Sequence, residues 1–346
     1  MGRLAFAFLL PLWFLFLGPK GAAAAGPSPV LLGQGWQEAV IAVDDIERAE
    51  AFYTDVAGWE VIHRGTDDKS YASEAPAAIV VMAAPGADRG RVRLIERAVE
   101  GQRPARANAQ AWDTGGIFSL MTRTGSVKSV LERAEALGYT AFNEPYPLAF
   151  GDLSLLNIVI RGPGGGNLAA YEWVSPQRDD VDADSVTAPF NSMQMVADLE
   201  GAKTFYVGGL GMEVIAEGTF VDSFDQPTNF ALPVNFATKV LRDYVILKEA
   251  GADGLGGRIE LMHFRGLVGR DLSKGSTPEA LGLIGLRWPV ANLTAWRKKV
   301  EDMGAPIFAE TEEANWPPYG TVQAFTTASP EGAPITFFQL KDDNND

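Results

Sequence analysis

The sequence contains no cysteine, and its only histidines are His63 and His263. Disulfides, thiolate catalysis, cysteine zinc sites and iron–sulfur clusters are therefore excluded, and any metal site would need mostly oxygen ligands. Basic residues are also few, because 29 Lys and Arg stand against 44 Asp and Glu, which leaves a net charge of −15. Nucleic acids and anionic membrane surfaces attract basic patches, so neither is expected as a main partner.

One apolar run lies at the N terminus. Arg3 precedes the run from Leu4 to Leu17, and Ala22 to Ala25 offers a small-residue cleavage site. This pattern predicts a signal peptide at residues 1–25 and an exported protein, periplasmic or secreted. The run is shorter than the roughly 20 apolar residues that a spanning helix needs, so no stable membrane association is expected after cleavage. A retained membrane anchor is the alternative interpretation.

The rest of the chain repeats itself. Its 346 residues, 47% of them hydrophobic, are enough for two globular domains of ordinary size. One set of matches is spaced by 153 residues and a second, weaker set by 166, which indicates a two-unit block that has been duplicated. The first set pairs Asp45-Ile46-Glu47, Phe52-Tyr53 and Gly58-Trp59-Glu60-Val61 with Asp198-Leu199-Glu200, Phe205-Tyr206 and Gly211-Met212-Glu213-Val214; the second pairs Gly138, Phe142 and Glu144 with Gly304, Phe308 and Glu310.

Each unit is predicted to have the order βαβββ. In the first unit a strand with alternating burial precedes the N-cap signal Asp44-Asp45, and apolar residues at helical spacing follow until Gly58. The fold class is therefore α+β, with one two-unit block at 32–177 and a second at 186–342. The third unit carries 14 extra residues before its last strand, including Phe220 to Pro233, which predicts a loop over a cleft.

The openings of these units resemble those of a known superfamily. Val43-Asp44-Asp45-Ile46-Glu47 with Phe52-Tyr53, and its counterpart at 196–206, are similar to the first module of vicinal-oxygen-chelate proteins, which include glyoxalases, bleomycin-resistance proteins and extradiol dioxygenases. Turns such as Pro163-Gly164-Gly165 resemble those of the second module. The resemblance covers Gln37 to Lys341 and implies two cups, each made of curled mixed sheet from paired modules. It leaves open which modules pair.

The resemblance also implies where a metal would bind, namely at the start of each first strand and in the middle of each last strand. Only two of the residues at these positions, Glu38 and Glu260, are carboxylates, and neither way of pairing the modules collects three good ligands. No metal is therefore assigned, although a divalent Mn, Fe, Ni or Zn ion remains the alternative cofactor. His63 and His263 are interpreted as structural or surface residues. The full set of positions is Glu38, Ser119, Asn191 and Gly285 on the first strands, and Arg93, Ala169 or Ala170, Glu260 and Thr336 on the last.

Two functions follow from these positions. The first is an exported protein that binds a small organic molecule in a sheet-lined cup without the standard metal triad, with a monomer sufficing because four modules share one chain. The alternative is a divalent-metal-dependent lyase, isomerase or extradiol-type dioxygenase with a noncanonical ligand set around Glu38 or Glu260. Arg93 and Arg287 could each receive an anion, but an ion pair between Arg93 and Glu38 is equally open. No catalytic residue is assigned, and the ligand-binding candidates are Glu38, Arg93, Asn191, Met193, Glu260 and Arg287.

Overall fold

The computed structural model describes residues 30–67, 77–97, 102–150, 152–177, 180–222, 225–277 and 279–341. The predicted signal peptide lies outside the described residues. Within them, no helix has both the length and the apolar character that a membrane crossing requires.

The first and third modules follow the predicted order closely. In both, an aspartate begins the helix: Asp45 accepts from the Arg48 amide at 2.9 Å and Asp198 from the Gly201 amide at 2.9 Å. Each helix then widens into a π-helical turn that buries its Phe-Tyr pair. The elements are β1 Glu38–Val43, α1 Ile46–Ala51 with the π-turn Phe52–Val56, β2 Glu60–Asp67, β3 Ala77–Ala83 and β4 Arg91–Glu96, and then β10 Asn191–Met195, α3 Leu199–Lys203 with the π-turn Thr204–Gly209, β11 Glu213–Phe220, β12 Arg242–Lys248 and β13 Arg258–Phe264.

The second and fourth modules keep the same order, with one addition. The second has one strand more, because two short strands pair with one longer strand where a single strand pairs in the fourth. Ser126 and Asn292 serve as helix N-caps in the two modules. The elements are β5 Ser119–Arg123, α2 Val127–Ala136, β6 Thr140–Ala141, β7 Tyr146–Phe150, β8 Leu153–Arg161 and β9 Asn167–Ser175, and then β14 Gly282–Pro289, α4 Leu293–Asp302, β15 Ile307–Trp316, β16 Gly320–Ala328 and β17 Pro334–Leu340. Short 3-10 turns lie at Pro163–Gly165, Val234–Phe236 and Ser273–Gly275. The predicted α+β fold of four βαβββ modules is confirmed.

The modules pair across the two sequence blocks. One sheet has the order β15-β16-β17-β14-β1-β4-β3-β2, so the first module pairs with the fourth. The other has the order β11-β12-β13-β10-β5-β9-β8-β6, with β7 on β8, so the third module pairs with the second. The seams are antiparallel, β1 on β14 and β10 on β5. Each sheet therefore needs a module from both blocks, a point that the sequence left open.

Strand alternation gives each sheet two different faces. On β1 the side chains of Ala39, Ile41 and Val43 join the helices in the main hydrophobic core, which also takes residues from the other sheet. Phe52 and Tyr53 are fully buried there, and burial of a side chain of this size contributes roughly 2–3 kcal/mol. The opposite faces carry Glu38 in the first sheet and Asn191 in the second. We call these faces cup one, of the first and fourth modules, and cup two, of the second and third.

Candidate ligand-binding cups

Cup one holds a buried triad of charges. Both oxygens of Glu38 are engaged by Arg93, whose Nε and Nη2 donate at 2.7 and 3.2 Å, and Arg287 Nη1 adds a third bond at 2.9 Å. All three side chains are at most 1% exposed. Burial acts to raise the pKa of Glu38, but Arg93 and Arg287 outweigh it and hold that pKa below its usual value. Glu38 is thus an ionised carboxylate whose two oxygens both accept hydrogen bonds from arginine.

Aromatic residues of the fourth module cover this triad. The guanidinium of Arg287 lies 3.8 Å from the ring centroid of Trp316, and that of Arg91 lies 5.5 Å from the centroid of Tyr319. Arg93 also donates to the carbonyl of Pro317. The ion pair between Arg93 and Glu38 that the sequence left open is therefore present, and both candidate anion receptors, Arg93 and Arg287, are bound to a carboxylate of the chain itself.

Cup two contains an open cavity of about 450 Å³. Its walls are mainly aromatic and aliphatic, with methionines at the base, and few polar groups reach it. The loop between β11 and β12 supplies Asn229 and Phe230, so the predicted loop over a cleft is observed. The lining residues are Met121, Arg123, Leu148, Leu153, Leu155, Tyr171, Trp173, Phe190, Asn191, Met193, Ala216, Phe220, Asn229, Phe230, Tyr244, Ile246, Leu255, Arg258, Glu260 and Met262.

A carboxyl and an amide form the polar centre of this cavity. Asn191 Nδ2 donates to Glu260 Oε2 at 3.0 Å, and among the described residues Asn191 is the side-chain hydrogen-bond partner of Glu260. Burial raises the pKa of Glu260 to about 7, and the bond from Asn191 only partly opposes that shift. Asn191 Oδ1 is buried and has no hydrogen-bond partner among the described residues. The dyad therefore presents unused acceptor capacity inside an apolar cup.

The sequence did not single out several other residues of the cup, although strand alternation points to some of them. Arg258 lies two residues before Glu260 and faces the same cup, and Tyr171 lies two residues after Ala169. Burial, with Glu260 nearby, raises the pKa of the Tyr171 phenol well above its ordinary value. Trp173 and Tyr244 lie outside the positions at which the resemblance implies ligands. Tyr171, Trp173 and Tyr244 supply half of the aromatic wall, and Phe190, Phe220 and Phe230 supply the rest.

Strand register corrects two of the positions expected on the first strands. Asn191 lies opposite Met121, and Glu38 lies opposite Arg287. Met121 and Arg287 are therefore the first-strand residues that lie beside Asn191 and Glu38 at the centres of the two cups. Ser119, the expected position on β5, lies opposite Met193, and Gly285, the expected position on β14, lies opposite Val40. The expected positions were therefore two residues too early on both strands.

The residues present do not fit the metal site of the resemblance. No group of three His, Asp or Glu side chains converges anywhere in the described parts of the chain. In cup one, Thr336 and Arg287 stand beside the arginine-bound Glu38, and in cup two Met121 and Ala169 stand beside the Asn191–Glu260 dyad. His263 contacts the Val196 carbonyl at 3.0 Å and does not line the cup-two cavity. His63 lies on the edge strand β2 opposite Val81, which in turn lies opposite Arg93.

Comparison with known proteins agrees with this fold. Residues 36–170 match the model of the Glyoxalase/Bleomycin resistance protein/Dioxygenase superfamily, and no curated protein matches the chain. Among solved structures, glyoxalase I from Zea mays is similar with a TM-score of 0.58 at 16% identity, over 88% of this chain and 92% of that one. A putative dioxygenase from Bacillus subtilis subsp. subtilis str. 168 is similar with a TM-score of 0.55 at 12% identity, over 92% and 87%. The first two modules thus match the Glyoxalase/Bleomycin resistance protein/Dioxygenase superfamily in sequence, and the described chain as a whole has the vicinal-oxygen-chelate fold of that superfamily.

Proposed function

We propose that the chain is an exported protein that binds a small, largely apolar organic molecule in cup two without the metal triad typical of its fold. The observation that carries this proposal is the cavity of about 450 Å³ lined by aromatic side chains and methionines. Ligand sites typically enclose about 300–1,000 Å³ and combine an apolar wall with a few placed polar groups. The Asn191–Glu260 dyad supplies such groups at the centre of the cup.

Cup one is proposed to be structural. The Glu38 carboxylate at its centre is bound by two arginines of the chain itself, and these lie against Pro317 and Trp316. A buried ion pair of this kind holds strands in one register, because any displacement leaves a charge without its partner. In this proposal, cup one stabilises the joint between the first and fourth modules, and cup two carries the function.

A second candidate function is a lyase or isomerase reaction in cup two, and one observation favours it. The pKa of Glu260 is raised to about 7, which suits a group that accepts and returns a proton near neutral pH. Replacement of Glu260 by Gln would then abolish turnover, whereas a binding protein has no turnover to lose. A metal-dependent form of this reaction would need ligands beyond Glu260, from a source other than the described residues of the cup.

The binding proposal is tested with the neutral fluorophore Nile red and the purified mature chain. Ala216 lies half-buried in the cavity wall on β11, so Ala216→Trp fills the cup from its edge. We expect the wild type to enhance Nile red emission and Ala216→Trp to weaken binding about tenfold or more through lost cavity volume. Ala136→Trp, on the exposed end of α2, adds the same ring elsewhere and should leave binding unchanged. Equal binding by all three proteins would contradict a site in cup two.

A further inference from the structure

Glu260 is a buried carboxyl group without a cationic partner among the described residues. It is 6% exposed and its hydrogen-bond partner is the neutral amide of Asn191. Burial of a carboxylate without a counter-ion is costly, so such groups are normally paired or held neutral. The equivalent region of cup one shows the paired arrangement, where Arg93 and Arg287 both bind Glu38. Cup two has the carboxyl group of such a pair and lacks its cation.

The charged and titratable side chains around Glu260 do not supply that cation. Arg258 faces the same cup, but its Nη2 donates to the Gly254 carbonyl at 3.3 Å and it forms no ion pair within the described chain. Arg123 forms an ion pair with Asp180, in which Arg123 Nη1 lies 3.5 Å from Asp180 Oδ2. The other titratable groups of the cup are the phenols of Tyr171, beside Glu260, and Tyr244. No cationic side chain among the described residues is therefore paired with Glu260.

We propose that cup two selects a cationic ligand whose planar nitrogen group, such as an amidinium or a protonated amino-heterocycle, donates N–H bonds to both Glu260 and Asn191 Oδ1. This inference rests on the proposed binding function and names its ligand class. The hydrogen-bonded pair leaves two acceptors, the second oxygen of Glu260 and the unpartnered Oδ1 of Asn191, and a group with two N–H donors would supply a partner for each. The aromatic wall adds attraction for a cation through ring quadrupoles.

The inference predicts a proton balance. In the free protein burial raises the pKa of Glu260 to about 7, so the group is partly protonated at neutral pH. A bound cation favours the ionised form and lowers that pKa, so binding releases a proton from Glu260 to solvent. Affinity for the cation therefore increases as pH rises through 7. A neutral ligand of the same shape shows neither effect.

The test uses isothermal titration calorimetry of the mature chain with three isosteric probes: 2-naphthamidine, 2-naphthamide and 2-naphthoate. We expect the amidine to bind about tenfold or more tightly than the amide, because its cationic N–H groups form charge-assisted hydrogen bonds with the buried carboxylate of Glu260. Repetition in two buffers of different ionisation enthalpy measures the released proton. Glu260→Gln should remove both the preference and the proton release. Glu217→Gln, the same change at an exposed position of β11, should keep both.

The outcomes separate this inference from the binding function on which it rests. If the amide or the naphthoate binds as tightly as the amidine while Nile red still enters the cup, the cation claim is overturned and the binding function stands. The cation claim is also overturned if the preference persists in Glu260→Gln and that variant still unfolds in one cooperative transition. If neither Nile red nor any naphthyl probe binds, the proposed function itself fails.

Discussion

Arg93 and Glu260 occupy the same position in the two sheets. Each faces its cup from the middle of the last strand of its module, Arg93 opposite Val40 and Glu260 opposite Met193 in parallel register. Arg93 binds a carboxylate of the chain at 2.7 Å, whereas Glu260 is bound by an amide at 3.0 Å. One scaffold thus carries a carboxylate bound by two arginines in cup one and, among the described residues, a carboxyl group without a cationic partner in cup two.

The first prediction concerns Glu260 and stability. The pKa of Glu260 rises from an ordinary 4.5 to about 7 in the folded chain. Between pH 4.5 and pH 7 Glu260 is therefore mostly protonated in the native state and mostly ionised in the unfolded state. The contribution of Glu260 to stability is therefore greatest below pH 4.5 and declines as pH rises to 7, by on the order of 3 kcal/mol. Glu260→Gln removes that decline, so we expect the variant to be more stable than the wild type at pH 8.

Urea unfolding at pH 5 and pH 8 measures this effect. The difference between wild type and Glu260→Gln should widen from pH 5 to pH 8 in favour of the variant, and Glu217→Gln should follow the wild type at both. A constant difference across this range would show that Glu260 titrates in the folded chain as it does in water.

The second prediction concerns the triad of cup one. Glu38→Gln leaves Arg93 and Arg287 buried without their shared carboxylate, so we expect a loss of roughly 3–5 kcal/mol of unfolding free energy at pH 7. The pKa of Glu38 is lowered in the fold, so its contribution is present above the ordinary value of 4.5 and is lost as pH falls below that value. The deficit of the variant should therefore shrink in acid.

Denaturant unfolding of Glu38→Gln and of Glu135→Gln, an exposed position on α2, provides the comparison. The control should stay within about 0.5 kcal/mol of the wild type, as surface changes usually do. A Glu38→Gln variant as stable as the control would mean that the triad contributes nothing to holding β1 on β14.

The third prediction follows from the pairing across blocks. A fragment of residues 30–177 lacks β14 and β10, the antiparallel neighbours of β1 and β5. Because β5 corresponds to β14 and β10 to β1 in the duplication, two copies of the fragment can rebuild both seams. We expect the fragment to form a dimer in multi-angle light scattering, since an unpaired strand edge seeks another strand. A stable monomeric fragment would contradict the role of these seams in completing each sheet.

The fourth prediction concerns metal. No three metal-binding side chains converge in the described parts of the chain, and Glu38 is held by guanidinium groups. We expect mass spectrometry to find Mn, Fe, Ni and Zn well below one ion per chain, and chelator treatment to leave Nile red binding and melting temperature unchanged. One tightly bound ion per chain, lost together with ligand binding, would instead support the metal-dependent lyase or dioxygenase.

The sequence predicted the modules well because local signals define them. Aspartate N-caps, Phe-Tyr pairs and strand alternation depend on residues a few positions apart, and the duplication shows each signal twice. The resemblance to vicinal-oxygen-chelate proteins placed Glu38, Arg93, Asn191 and Glu260 at ligand positions of the cups. Those predictions required no knowledge of which strands are neighbours.

What the sequence could not predict depends on distant pairing. The strand opposite Asn191 belongs to another module, so the choice between Ser119 and Met121 rests on a register that no local pattern encodes. The same applies to Arg287, whose bond to Glu38 joins residues 249 positions apart. The aromatic wall of cup two was missed because Tyr171 and Tyr244 belong to different modules and line one cavity only when the sheet that contains both curls.

The pairing of the first module with the fourth also has a consequence for how the chain acquires its structure. β1 leaves the ribosome first among the strands, yet its partner β14 begins at Gly282. Contacts so distant in sequence fold slowly, and until they form, the edges of β1 and β5 stay open to other chains. The open edge of β1 is therefore protected from aggregation only after β14 has been synthesised and has paired with it.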